Sequence, residues 1–178
     1  FNRGFAGAFT ARVNMNLRED KGYTYGARGS FMRSRKAGTY TIYAKVKGDT
    51  TRASIDEIIK ELAGVRGDKP LSAEELSESK GGMVKSFPGG FERMGSVASQ
   101  LSGLVADGHG VEWHANWTKN ISAVDLEAAR KMAQIYTDFA DFQIVVAGDR
   151  SKIEESLKGL NLPIFLYDTE GNALAWDK

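Results

Sequence analysis

The sequence predicts an α+β fold, a two-layer sandwich in which helices pack on one face of a mostly antiparallel sheet. Three observations predict it. Over residues 5–32 a helical period of apolar residues gives way abruptly to a period of two. A second alternating run, Thr39 to Lys47, follows closely enough to be a hairpin partner. The rest of the chain is dominated by helical stripes, with two further apolar runs at Phe142–Ala147 and Ile164–Tyr167. The order amounts to about four strands and five or six helices, with helices between strands and one adjacent hairpin.

Phe5, Phe9, Val13 and Leu17 recur every fourth residue, with Ala8 filling the same stripe, so the first segment reads as an amphipathic helix to about Glu19. Glu19 to Gly22 then makes a corner, and glycine tolerates the backbone angles that a corner requires. From Tyr23 onward, Tyr23, Tyr25, Ala27, Gly29 and Phe31 alternate with Thr24, Gly26, Arg28, Ser30 and Met32, which assigns them to opposite faces of a strand. Arg18 ends the helix and the two tyrosines open the strand, so a guanidinium and two phenols converge on one rim. Read from residues alone, Arg18 serves the negative helix C-terminus and the tyrosines are half-buried sheet residues.

Beyond this corner, Arg33, Arg35 and Lys36 with Gly38 read as a charged hairpin connection. Tyr40, Ile42, Ala44 and Val46 form the inward face of the second strand. Thr50 or Thr51 caps a helix whose stripe is Ile55, Ile58, Ile59 and Leu62, ending near Gly64 to Gly67. Ser72 and Glu75 form a capping box that opens a helix through Leu76 and Met83, with Gly81-Gly82 inside it. Pro88-Gly89-Gly90 breaks the pattern before a helix carrying Phe91, Met94, Val97, Leu101, Leu104 and Val105. Ser122 with Asp125 opens the next, and Ser151 with Glu154 opens a short helix before the last strand.

At 178 residues and 42% hydrophobic content, one core and one domain over 1–178 are expected. The net charge of +1 gives no electrostatic case for nucleic acid or an anionic membrane. With no cysteine, disulfides and thiolate metal sites are excluded. No apolar run approaches the roughly 20 residues that span a bilayer.

His109 and His114 flank Glu112 in a run that looks like a zinc-protease helix, but they stand five residues apart rather than four. On a regular helix that spacing separates them by roughly 140° instead of about 40°. A free-standing hydrolase using either histidine would need carboxylates to complete a metal site. Ser77 and Lys80 satisfy S-x-x-K without the accompanying motifs of that chemistry. Asn116-Trp117-Thr118 and Asn120-Ile121-Ser122 are sequons that matter only in a secretory setting. No self-sufficient catalytic or metal site is legible.

The run GAFTARVNMNLREDKGYTYGA, Gly7 to Ala27, resembles the signature of the pitrilysin/insulinase family of zinc metallopeptidases, specifically of the homologous domain that lacks the zinc. FQIVVAGD, a short helix and LPIFLYDTEGN resemble the close of the same domain. The resemblance implies the sandwich shared with the mitochondrial processing peptidases and an N-terminally truncated piece of a larger peptidase with two similar halves or four domains. It implies a domain inactive alone, with zinc held by a homologous partner half in the same chain or another subunit. It further implies that Arg18 and a tyrosine reach the peptide substrate near that zinc and stabilise charge on the scissile carbonyl oxygen. Tyr23, directly after Gly22, is the first choice, and Tyr25, assigned to the same face, is the alternative. A structural or assembly subunit without proteolytic role is the competing expectation, and a periplasmic setting is plausible from the resemblance alone.

Overall fold

In the computed structural model, which describes residues 1–32 and 37–175, the chain builds its core where the first helical segments lie across a two-stranded ladder. A π-helical turn, Arg3–Gly7, is followed after a break by α1 (Arg12–Asn14), which continues as a second π-helical stretch, Met15–Asp20. β1 (Thr24–Met32) and β2 (Thr39–Val46) pair antiparallel. The connecting cluster Arg33, Arg35 and Lys36 lies outside the described residues. Then come α2 (Thr51–Arg66), α3 (Ala73–Ser86), α4 (Met94–Asp107), α5 (Glu112–Ala123), α6 (Leu126–Tyr136) and α7 (Arg150–Lys158). A two-residue ladder of β3 (Leu166–Tyr167) on β4 (Ala173–Leu174), also antiparallel, follows. The α+β class holds, with most of the sheet concentrated in one hairpin.

Phe5, Ala6, Val13, Leu17, Ala27, Leu62, Val65 and Ala133 form the main buried cluster. Two smaller clusters flank it. Ile55, Ile153 and Leu157 join α2 to α7, while Leu71, Leu76 and Ala129 join α3 to α6. Close contact of the first helical turn with β1 depends on Gly29. A Cβ there would stand 2.6 Å from Ala6 Cβ, 2.7 Å from Tyr40 Oη and 2.9 Å from Asn2 Oδ1, all inside van der Waals contact. Asn2 fixes this approach by donating to the Gly29 carbonyl at 2.9 Å and accepting from Tyr40 Oη at 2.8 Å.

Several elements follow the sequence closely. Tyr40, Ile42, Ala44 and Val46 face inward along β2. Ser72 and Glu75 complete the capping box, with the Glu75 amide on Ser72 Oγ at 3.1 Å and the Ser72 amide on Glu75 Oε2 at 2.7 Å. Other expectations are corrected. The first helix is not continuous to Glu19, because Ala8 and Ala11 take extended angles and break it. Phe9 in that break is 64% exposed instead of joining the stripe. Asp125 rather than Ser122 caps α6, accepting the Ala128 amide at 2.7 Å, and Asp149 rather than Ser151 caps α7. Phe142–Ala147 joins no ladder among the described residues. Phe142 packs near Tyr40, whereas Val145 is exposed, and the backbone of 143–147 has no backbone hydrogen-bond partner among the described residues. An apolar run specifies burial; pairing also needs a neighbouring edge.

Arg12 ties the first segment to α3. Its guanidinium binds both Glu75 carboxylate oxygens, the Lys69 carbonyl, and the Pro70 carbonyl at 2.9 Å. Burial pushes the Glu75 carboxyl up, but hydrogen bonds from Arg12 and Ser72 outweigh it and hold the group below its ordinary value.

Two outcomes are expected. Gly29→Ala should destabilise the fold by roughly 1–3 kcal/mol in urea denaturation, because the added methyl overpacks against Ala6. The Glu75 contribution should be intact at neutral pH and lost as pH falls through its depressed folded-state value. The stability gap between wild type and Glu75→Gln should therefore narrow as pH falls through and below the ordinary carboxylate range, as read from thermal midpoints across pH.

Candidate functional site

The corner between helix and strand is built by backbone hydrogen bonds. Lys21 N–H donates to the Asn16 carbonyl at 3.0 Å, and Tyr23 N–H to the Leu17 carbonyl at 2.9 Å. Between them Gly22 takes φ +65°, a conformation that side-chain-bearing residues rarely adopt. Asn16, buried below the corner, donates to Glu57 at 2.9 Å and Glu61 at 2.7 Å on α2. The hydrogen bond from Asn16, aided by Lys21, holds the Glu57 carboxyl below its ordinary value.

The start of β1 departs from simple alternation. Thr24 stands opposite Val46 and Ala27 opposite Ala44, so three steps along β1 match two along β2 and one residue is bulged. Thr24 Oγ1 turns in, donating to the Lys45 carbonyl at 2.5 Å and accepting the Gly26 amide at 3.1 Å. The Ala27 amide bonds to Asn14 Oδ1 at 2.8 Å. The bulge separates the two tyrosines. Tyr23 packs against the main buried cluster, whereas Tyr25 is 99% exposed, so the expectation of a shared face is corrected.

Arg18 lies on the helical segment that precedes the corner. Its guanidinium carbon sits 4.4 Å from the centroid of the exposed Phe9 ring, within cation–π range. Its Nη1 is 3.4 Å from Glu19 Oε1 and has no hydrogen-bond partner among the described residues. The Arg18 side chain is thus one-third exposed on an aromatic platform with its Nη1 buried, while the Tyr25 phenol is exposed. Sequence reading singled out Arg18 and both tyrosines as candidates and did not foresee the exposed Phe9, the bridging Asn14 or the bulge. Gly26 within a strand pattern was the available signal for a bulge.

The histidines serve separate aromatic stacks. His109 lies flat on Trp113 at 4.1 Å, while His114 packs between Phe87 at 6.0 Å and Phe91 at 5.2 Å. Among the described residues no group of three or more His, Asp or Glu side chains could hold a metal ion, and no helix is long and apolar enough to cross a membrane.

This architecture defines an α+β domain of helices packed on an antiparallel hairpin. Residues 1–83, which contain the Gly7–Ala27 run, match the family model described as the peptidase M16 inactive domain. Solved structures share the fold. The peptidase M16 inactive domain from Pseudomonas fluorescens aligns with TM-score 0.67 and 15% identity, over 76% of this chain and 32% of its own. A conserved protein from Enterococcus faecalis V583 aligns with TM-score 0.62 and 19% identity, over 75% of this chain and 31% of its own. The inactive peptidase domain of a proposed zinc protease from Bordetella parapertussis aligns with TM-score 0.67 and 18% identity, over 79% of this chain and 75% of its own. The chain thus spans about a third of the first two structures. No curated protein matches it.

Because Tyr23 is part of the packed cluster, Tyr23→Ala should lower the urea midpoint clearly, by a cost on the order of 2–4 kcal/mol, while Tyr25→Ala should leave it within about 0.5 kcal/mol.

Proposed function

We propose that this domain is the substrate-binding, non-catalytic half of a zinc-dependent endopeptidase. It closes over a homologous zinc-bearing half and lends Arg18 and Tyr25 to an extended peptide held there. The observation that carries this reading is a guanidinium mounted on Phe9 just before the Gly22 corner and a fully exposed phenol just after it. Peptide hydrolysis at zinc develops negative charge on the scissile carbonyl oxygen, and donors aimed at that oxygen or the adjoining backbone stabilise it. Zinc would supply the polarised water and carbonyl from the partner half, and this chain's residues would bind and orient the peptide. The bulge favours Tyr25 over Tyr23, since a phenol committed to the core is poorly placed to donate to a ligand.

A structural or assembly role is the second reading, favoured by α4, where Met94, Leu101 and Val105 are exposed on a helix with no charged residue before Asp107. The two readings separate on kinetics. With the zinc-bearing half present, Tyr25→Phe should lower kcat/KM for an unstructured peptide about tenfold to hundredfold, Arg18→Ala at least as much, and Tyr23→Phe little. Unchanged turnover in both Tyr25→Phe and Arg18→Ala would leave only the assembly role.

A further inference from the structure

The corner holds one buried polar residue that the proposed chemistry does not use. Asn14 is only 3% exposed. Its Nδ2 donates to the Phe9 carbonyl at 2.6 Å and its Oδ1 accepts the Ala27 amide at 2.8 Å. A carbonyl on one side and an N–H on the other admit a single orientation of the side-chain amide. One residue therefore joins the two irregular segments on which the rim depends. One is the break at Ala8–Ala11, which swings Phe9 out beneath Arg18; the other is the bulge between Thr24 and Ala27, which turns Tyr25 out.

We propose that Asn14 is the positioning residue of the peptide-binding rim, holding the Phe9 platform of Arg18 and the Tyr25 bulge in fixed relation; this rests on the peptide-binding reading above. Neither segment is held by regular secondary structure at this point. The Ala27 amide goes to a side chain, and the Phe9 carbonyl falls between the two helical segments. A buried amide satisfying both is costly to remove, because each backbone group would be left unpaired away from water. No apolar residue can do the same, and aspartate can do only half. Ionised, it still accepts the Ala27 amide but faces the Phe9 carbonyl without a hydrogen to offer.

The test compares wild type, Asn14→Asp and Asn14→Ala in the full chain by NMR and by anisotropy of a fluorescein-labelled, unstructured 20-residue peptide of mixed sequence. In wild type, the Ala27 amide and the Asn14 side-chain amide protons should exchange as slowly as the β1–β2 ladder. Exchange at the rate of an exposed amide overturns the proposal without any variant. Arg18 side-chain protons should show an upfield ring-current shift from Phe9. Asn14→Asp should abolish that shift while keeping the Ala27 amide protected, and weaken peptide binding about tenfold; Asn14→Ala should lose both.

A shift that persists in Asn14→Asp overturns the positioning role, as does wild-type peptide affinity in a variant that has lost the shift. If wild type binds no peptide, the reading of the rim as a peptide site falls and the positioning role falls with it. If wild type binds, Tyr25→Ala weakens binding and Asn14→Asp does not, Asn14 alone is overturned.

Discussion

The structure depends on a close approach between the first helical turn and β1, made possible where Gly29 offers no side chain. Ala6 packs into that space, and Asn2 and Tyr40 seal its edges with paired hydrogen bonds. Phe5, Val13 and Leu17 can then reach Ala27 and the α2 residues Leu62 and Val65 in one buried cluster. A larger residue would lift the segment off the ladder and move every group it carries, including those at the corner.

The segment that makes this approach is itself irregular. Two π-helical stretches and an extended break replace one amphipathic helix, and β1 absorbs an extra residue near the same place. Such irregularities recur at functional sites because they re-aim side chains that a regular period would bury. Here they expose Phe9 and Tyr25, two aromatic residues that strict periodicity would have turned towards the core.

What the sequence made legible was local. The β2 alternation, the α2 stripe, the Ser72–Glu75 box and the Gly22 corner each follow from neighbours within a few residues, and each is present. Departures from sequence reading came where distant partners decide. Asn14 became a bridge because Ala27 arrives beside it, which no period in residues 5–19 encodes. Tyr23 and Tyr25 parted company because β2 pairs with β1 out of step. At α6 and α7 the competition was between adjacent candidates, and aspartate won the cap from serine both times. The bulge that distinguishes the two tyrosines emerged only in three dimensions.

Arg12 also gives the rim a mechanical connection to the rest of the domain. Its guanidinium spans Glu75, Lys69 and Pro70, so the segment bearing Asn14 and Arg18 shares its anchorage with the opening turn of α3. Loosening the rim segment and fraying that turn both strain the bonds of this one guanidinium, which links the two openings. A ligand seated at the corner would therefore quiet a helix it never touches, through nothing more than mass action on their common opening.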